Sequence, residues 1–218
     1  MKRMSATAVL LLILLGGSAW ADGPAPRPWT GLYLGVGAGA GSVVQLQSLN
    51  DVGFGTVFSQ DVGAEGMFGT VTAGYDFRVM QRVVAGGFFD YDISSISNGN
   101  PFVLPISIPF DHKHTWSLGG RVGYLANPTT LWYVLGGYSQ ARFDFDTIGG
   151  IDFRGYFVGG GVETQLGGNW SLRGEYRFAQ FRTETLLELC PCETLDADVR
   201  MHTGRVLLTY RFDGGSTP

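Results

Sequence analysis

The sequence predicts an all-β protein, an eight-stranded antiparallel up-and-down transmembrane β-barrel behind a secretory signal. Three observations predict it. Segments of about ten residues alternate large apolar side chains with small or polar ones at a period of two, the pattern of a strand with lipid on one face and protein on the other. The connections between them alternate short and long, as in barrel strands joined by tight turns at one end and loops at the other. Ahead of them, Lys2 and Arg3 lead into Ala8-Val9-Leu10-Leu11-Leu12-Ile13-Leu14-Leu15 and then Ala19-Trp20-Ala21, the charged, apolar and cleavage regions of a signal peptide.

Residues 1–21 are the expected signal, because the apolar run falls short of the roughly 20 residues that a spanning helix needs. Residues 22–29 form an extended lead in which Ala25-Pro26-Arg27-Pro28 is stiff and Trp29 is placed as an interface aromatic. The barrel is expected over 30–212, followed by a short tail at 213–218. Its strands are expected at 30–44, 67–78, 82–93, 114–125, 131–143, 153–165, 170–182 and 199–212. Residues 79–81, 126–130 and 166–169 are short turns, with Asn127-Pro128 and Gly167-Gly168-Asn169 supplying the turn chemistry. Residues 45–66, 94–113, 144–152 and 183–198 are expected as long extracellular loops, with both termini periplasmic.

Parity assigns the faces. In the first strand Leu32, Leu34, Val36, Ala38 and Ala40 face lipid, while Tyr33, Gly35, Gly37, Gly39 and Gly41 face inward. The fourth strand sets Trp116, Leu118, Val122 and Tyr124 against Ser117, Gly119, Arg121 and Gly123. The seventh sets Trp170, Leu172, Tyr176 and Phe178 against Arg173, Glu175 and Arg177, and the eighth sets Val206, Leu208, Tyr210 and Phe212 against Arg205, Leu207, Thr209 and Arg211. With Asp76, Asp90 and Glu163 added, the inward face carries four carboxylates and five arginines. Charges at membrane depth persist where they face an interior and find partners, and eight strands enclose a space just wide enough for side chains to fill. A plugged lumen is therefore expected, with the inward glycines of the first strand making room for the arginines. A narrow anion-selective channel is the alternative.

Removing the signal takes the 15 basic residues to 13 against 19 acidic ones, so the formal charge moves from −4 to −6. An acidic chain lacks the basic face that nucleic acid requires. The long connections hold Asp51, Asp61, Glu65, Asp111, Asp144, Asp146, Asp152, Glu184, Glu188, Glu193, Asp196 and Asp198 against Lys113 alone. They read as a solvated, self-repelling surface, or as oxygen ligands bridging divalent cations to lipopolysaccharide phosphates. Residues 101–110 are unusually apolar for a loop and suit either a binding surface or the outer ends of the third and fourth strands.

The remaining motifs carry competing readings. The run from Gly35 to Gly41 lacks the glycine spacing and the following helix of a dinucleotide loop, so it is a glycine-lined strand. Cys190 and Cys192 are a candidate disulfide after export, although one intervening residue makes a small ring. His112 and His114, two apart on a strand, share one side and are candidates for haem or metal, with His202 as a third. A lipid hydrolase would need a serine such as Ser94, Ser95, Ser97 or Ser107 beside His202. No nucleophile motif supports one, so no enzyme activity and no cofactor is expected.

The opening Trp29-Thr30-Gly31-Leu32-Tyr33-Leu34-Gly35 resembles that of the small alpha-proteobacterial outer-membrane surface antigens, a porin-like or OmpA-like β-barrel family. Ala73-Gly74-Tyr75-Asp76, Gly159-Gly160-Gly161-Val162-Glu163, the stretch from Trp170 to Phe178, and Tyr210-Arg211-Phe212 extend the resemblance over the mature chain. It implies an outer-membrane surface protein surrounded by lipids and lipopolysaccharide, with haemin binding known for some members. It also implies an assembly signal read by the barrel-insertion machinery, with Arg205, Tyr210 and Phe212 in its polar and aromatic places and Leu207 where glycine is usual. Phe88 stands where the family often carries an inward glutamate.

Overall fold

The structure is a computed structural model, and it describes residues 28–51, 55–97, 110–145, 149–182, 184–190 and 193–212. The strands are β1 (Gly31–Asp51), β2 (Gly55–Met80), β3 (Val83–Ser97), β4 (Phe110–Asn127), β5 (Thr130–Phe145), β6 (Gly149–Gly167), β7 (Trp170–Phe181), β8 (Glu184–Cys190) and β9 (Glu193–Arg211). Every pairing is antiparallel, and β1 closes the wall on β9. β7 pairs with β9 from Tyr210 to Arg200, and β8 continues along the same partner from Ala197 to Glu193. Together β7 and β8 fill one position, so the closed barrel has eight.

Partnered residues followed once around the wall run from Tyr33 through Gly74, Phe88, Gly119, Gly137, Phe157, Ala179 and Met201. They return to β1 at Val43, a stagger of ten residues (43 less 33). Ten over eight strands sets a tilt of about 40° and a wall radius of about 8 Å. That radius suits a barrel whose interior is occupied by its own inward side chains.

The alternation divides the wall as the sequence predicts. Leu34, Val36, Leu118, Val122, Val134, Leu172 and Val206 are exposed on the outside, whereas Tyr33, Arg121, Tyr133, Arg173 and Arg205 are buried inside. Aromatic girdles border this apolar band, as expected where a barrel meets the two membrane interfaces. At the short-turn end Trp170 meets Tyr210 edge-on at 5.0 Å, and Tyr210 meets Phe212 at 5.1 Å. At the other end Trp116 lies 5.4 Å from Tyr138.

Three expectations change. The connection at 45–66 is mostly ladder, since β1 and β2 stay paired out to Asp51 and Gly55. The hairpins β3–β4, β5–β6 and β8–β9 also extend past the girdle. Backbone pairing needs no apolar face, so the ladder outlasts the alternation that marks strands in the sequence. Trp29 is not an interface aromatic: it is fully buried in the short-turn mouth and donates from Nε1 to the carbonyl of Pro128 at 3.0 Å. The inward glycines of β1 make room for Leu207 and Phe68 rather than for arginines.

Gly74 and Gly161 are set by close approach. Each lies across the ladder from a tyrosine, Tyr33 and Tyr133, whose ring folds over the bare backbone. A Cβ on Gly74 would meet Tyr33 Cζ at 2.5 Å, and one on Gly161 would meet Tyr133 Cζ at 2.6 Å. Gly74→Ala should therefore cost about 1–3 kcal/mol through overpacking, read as a lower urea midpoint of the folded barrel. Adding Tyr33→Leu should recover part of that loss, and no recovery would show that the ring is not what the methyl strikes.

Candidate functional site

The inward face of the membrane-depth wall carries two ion-paired layers. Near the short turns, Arg121 from β4 spans the lumen and binds both Asp76 oxygens, Nε to Oδ1 at 3.0 Å and Nη2 to Oδ2 at 2.6 Å. Its third nitrogen reaches Glu163 of β6 at 2.8 Å. Arg173 donates to Glu163 at 3.1 Å, and Arg211 donates to Asp76 at 2.8 Å and Glu163 at 3.3 Å. The Tyr33 ring is flanked by the guanidinium groups of Arg121, Arg173 and Arg211 at 4.9, 4.8 and 5.4 Å. Arg211 also donates to the Trp29 carbonyl at 3.1 Å and lies 5.5 Å from its ring, which ties the N-terminal lead to the last strand.

The second layer lies deeper, toward the long hairpins. Arg177 bridges Glu175 and Asp90, while Arg205 binds Asp92 through two nitrogens at 3.2 and 3.1 Å. Tyr133 donates to Glu175 at 2.9 Å and so links the layers from β5. Phe88 and Phe157 sit 5.1 and 4.9 Å from the Arg177 guanidinium, and Phe68 sits 4.9 Å from that of Arg205. Phe88 thus sets a ring face against the Arg177 cation.

All nine expected lumen residues thus come together, with Asp92 added. Asp92 has the parity of Asp90 in the same expected strand, so the signal was present in the sequence. The first layer holds three arginines and two carboxylates, and the second holds two arginines and three carboxylates. Each layer carries one unit of charge, opposite in sign, and the pair is neutral. This explains how ten ionised groups persist in a space from which water is largely excluded.

Above the charged layers the interior turns apolar, with Phe153, Phe181, Val199 and Met201 buried beside Ala141 and Val43. Ser117 and Ser139 hydrogen-bond to each other at 2.5 Å. His112 is buried at this level, above the aromatic girdle, with Nε2 2.7 Å from Thr115 Oγ1. Burial pushes its imidazole down to about 4, and the neighbouring charge of His114 adds to that shift.

His112 and His114 do not share a side. The register slips between them against β5, and again opposite them in β3, so parity breaks at Lys113. His114 lies outside and stacks on Tyr91 at 5.8 Å. An irregular ladder cannot carry the two-residue rule, which corrects the expected haem or metal pair. His202 is also outside, 2.7 Å from Tyr176 Oη and 5.0 Å from the Phe178 ring. Among the described residues, no three His, Cys, Asp or Glu side chains gather to hold a metal ion. Cys192, and the side chain of Cys190, lie outside the described residues, as do the expected signal at 1–21, the tail at 213–218 and the apolar run 101–109. Tyr210 and Phe212 stand on the outer wall of the last strand, whereas Arg205 is committed to the lumen.

A family model described as an outer membrane protein beta-barrel domain matches residues 7–212. The 31 kDa outer-membrane immunogenic protein of Brucella melitensis is 29% identical over 202 residues, which cover 84% of either chain. The 22 kDa outer membrane protein of Rhizobium leguminosarum bv. viciae is 31% identical over 163 residues, 72% of this chain and 66% of its own. The crystal structure of the outer membrane protein OprG from Pseudomonas aeruginosa matches with a TM-score of 0.52 at 9% identity, covering 87% of this chain and 100% of its own, a likeness of fold alone.

Arg121→Ala strands Asp76 and Glu163 with fewer partners and should cost about 3–5 kcal/mol, whereas Glu163→Ala in the same background should cost far less than it does alone. Additive losses in urea unfolding would show that the two are not coupled. For His112, the unfolded imidazole protonates below about 6.5 while the folded one stays neutral to about 4. The stability it contributes is therefore complete above pH 6.5 and is lost as pH falls toward 4. His112→Gln should flatten the fall in unfolding midpoint across that window, and an unchanged slope would assign the fall elsewhere.

Proposed function

The chain belongs to the outer membrane protein β-barrel domain family, and from that premise we propose that it is a surface barrel with a closed lumen and a structural role in the envelope. The short turns and both chain ends face the periplasm, and the long hairpins face outward. The observation that carries this reading is the neutral, ten-charge network crossing the lumen. A conducting pore leaves charges solvated and displaceable, whereas here four of the five arginines span carboxylates from different strands, Arg173 holds Glu163 alone, and each is sheathed by an aromatic ring. Trp29 closes the short-turn mouth and the phenylalanine layer closes the other end, so an ion would have to break both.

The wall supports a mechanical function. Girdles at two levels resist vertical movement, because aromatic rings settle at the membrane interface. The lumen network links strands that are not neighbours in the ladder, stiffening the section that carries the hairpins. The outward Tyr210 and Phe212 on the final strand are then available to the insertion machinery before the wall closes. The hairpins, acidic in sequence, set the charge that the cell surface presents.

The test is single-channel conductance of the purified, folded protein in a planar bilayer, with insertion verified independently. A silent bilayer is expected. A double substitution that removes Arg121 and Arg211 should admit fluctuating current if the barrel still folds. A steady, ion-selective current through the unaltered protein would replace the closed-lumen reading with a narrow channel governed by those arginines.

A further inference from the structure

The outer wall carries cations as well as rings. Arg142 on β5, Arg154 on β6, Arg182 just beyond β7 and Arg200 on β9 are all exposed and share the outward parity of the girdle residues on their strands. On β5 Arg142 stands four residues above Tyr138, and on β6 Arg154 stands two above Tyr156. Arg182 stands four above Phe178, and Arg200 stands two beyond His202.

The tilt brings these positions level. Each step to the register partner on the next strand climbs about 1.25 residues, ten residues of stagger shared over eight strands. With that climb included, the four arginines fall within about one residue's rise of one another, and about 8 Å above the girdle. They occupy four successive positions of the wall. The facing wall carries Glu65 of β2 at the same level.

Two of the four make an unfavourable pair by themselves. The amide of Arg182 donates to the carbonyl of Arg154 at 2.8 Å, which places the two side chains directly opposite. Like charges directly opposite destabilise a ladder, and neither side chain has an ion-pair partner among the described residues. Asp152, the one carboxylate of this face described at that level, lies toward Arg142 at 3.7 Å. The arrangement is the more pointed because the chain as a whole is acidic.

We propose that Arg142, Arg154, Arg182 and Arg200 form a lateral site for the phosphate groups of a lipid headgroup in the leaflet around the long-hairpin end. The site rests on the reading that this end faces out of the outer membrane. A guanidinium offers paired donors that match phosphate oxygens, and an anion held between Arg154 and Arg182 removes their repulsion. The side chains project sideways from the wall just above the aromatic belt, where headgroups lie and acyl chains begin. A soluble polyanion would approach past hairpins rich in Asp and Glu, so the lipid is the occupant that the charge distribution favours.

The test is a titration of the folded protein in detergent with bis-phosphorylated lipid A, followed by native mass spectrometry. Arg154→Gln with Arg182→Gln should weaken binding by about tenfold or more, and Lys at both positions should retain most of it. Lipid A stripped of phosphate should bind the unaltered protein as weakly as phosphorylated lipid A binds the Gln pair. Equal affinity of the Gln pair and the unaltered protein, or of stripped and phosphorylated lipid, overturns the site. Inorganic phosphate that binds as tightly as lipid A also overturns it, in favour of a soluble anion. Heat resistance of the Gln pair on gels reports the barrel separately, so the site can fall while the closed-barrel reading stands. If that pair fails to fold, Arg142→Gln with Arg200→Gln applies the same comparison to the flanking pair.

Discussion

The structure depends on Arg121, which holds Asp76 from one side of the lumen and Glu163 from the other. A charge at membrane depth is costly unless its partners are in place, and a carboxylate left alone there is worse than none. Once Arg121 is anchored, Arg173 and Arg211 complete the two acids, and the Tyr33 ring is fixed among three guanidinium groups. The strands β2, β4 and β6, which supply Asp76, Arg121 and Glu163, do not pair with one another in the ladder and meet only through the curvature of the wall. The network therefore requires a closed barrel of this diameter, just as the closed ladder is what satisfies every backbone group in lipid.

From that centre, the distribution of charge follows a simple logic. Inside, opposite unit charges on the two layers cancel over a short distance, and their shared boundary is bridged by the Tyr133 hydroxyl on Glu175. Outside, the same strands show only apolar and aromatic side chains until they pass the girdle. Cations then appear on the wall and acids dominate the hairpins. A single strand such as β6 displays the whole sequence: Glu163 in the lumen, Val158 in the apolar band, Tyr156 in the girdle and Arg154 above it. The charged interior and the lipid-facing surface thus belong to opposite parities of the same strands.

The glycines connect these two faces. Gly74 and Gly161 let Tyr33 and Tyr133 lie flat against the wall, and those two rings carry the arginines of the first layer. Removing the side chain from one strand is what gives its neighbour a large aromatic at a radius of about 8 Å. The same trade appears at Gly39, beneath Phe68 and therefore beneath Arg205. Glycine content in this chain records interior packing more than turn formation.

The period-two alternation, which depends only on one face meeting lipid, determined the number of barrel positions, the inward set and the aromatic borders. Parity alone placed Arg121, Glu163 and Arg173 together, because a narrow closed wall leaves inward residues nowhere else to go. It failed where the ladder departs from a plain strand: at the slip beside Lys113, which sends His112 inside and His114 outside, and in the hairpins, which remain paired after the alternation ends. Trp29 was illegible for a different reason, since its place in the mouth is set by the Pro128 carbonyl, 99 residues away in sequence. Alternation along the chain settles which residues of the regular ladder face inward. Which of them meet is set by the closed wall, because stagger and tilt fix the heights at which strands far apart in the chain bring their side chains level.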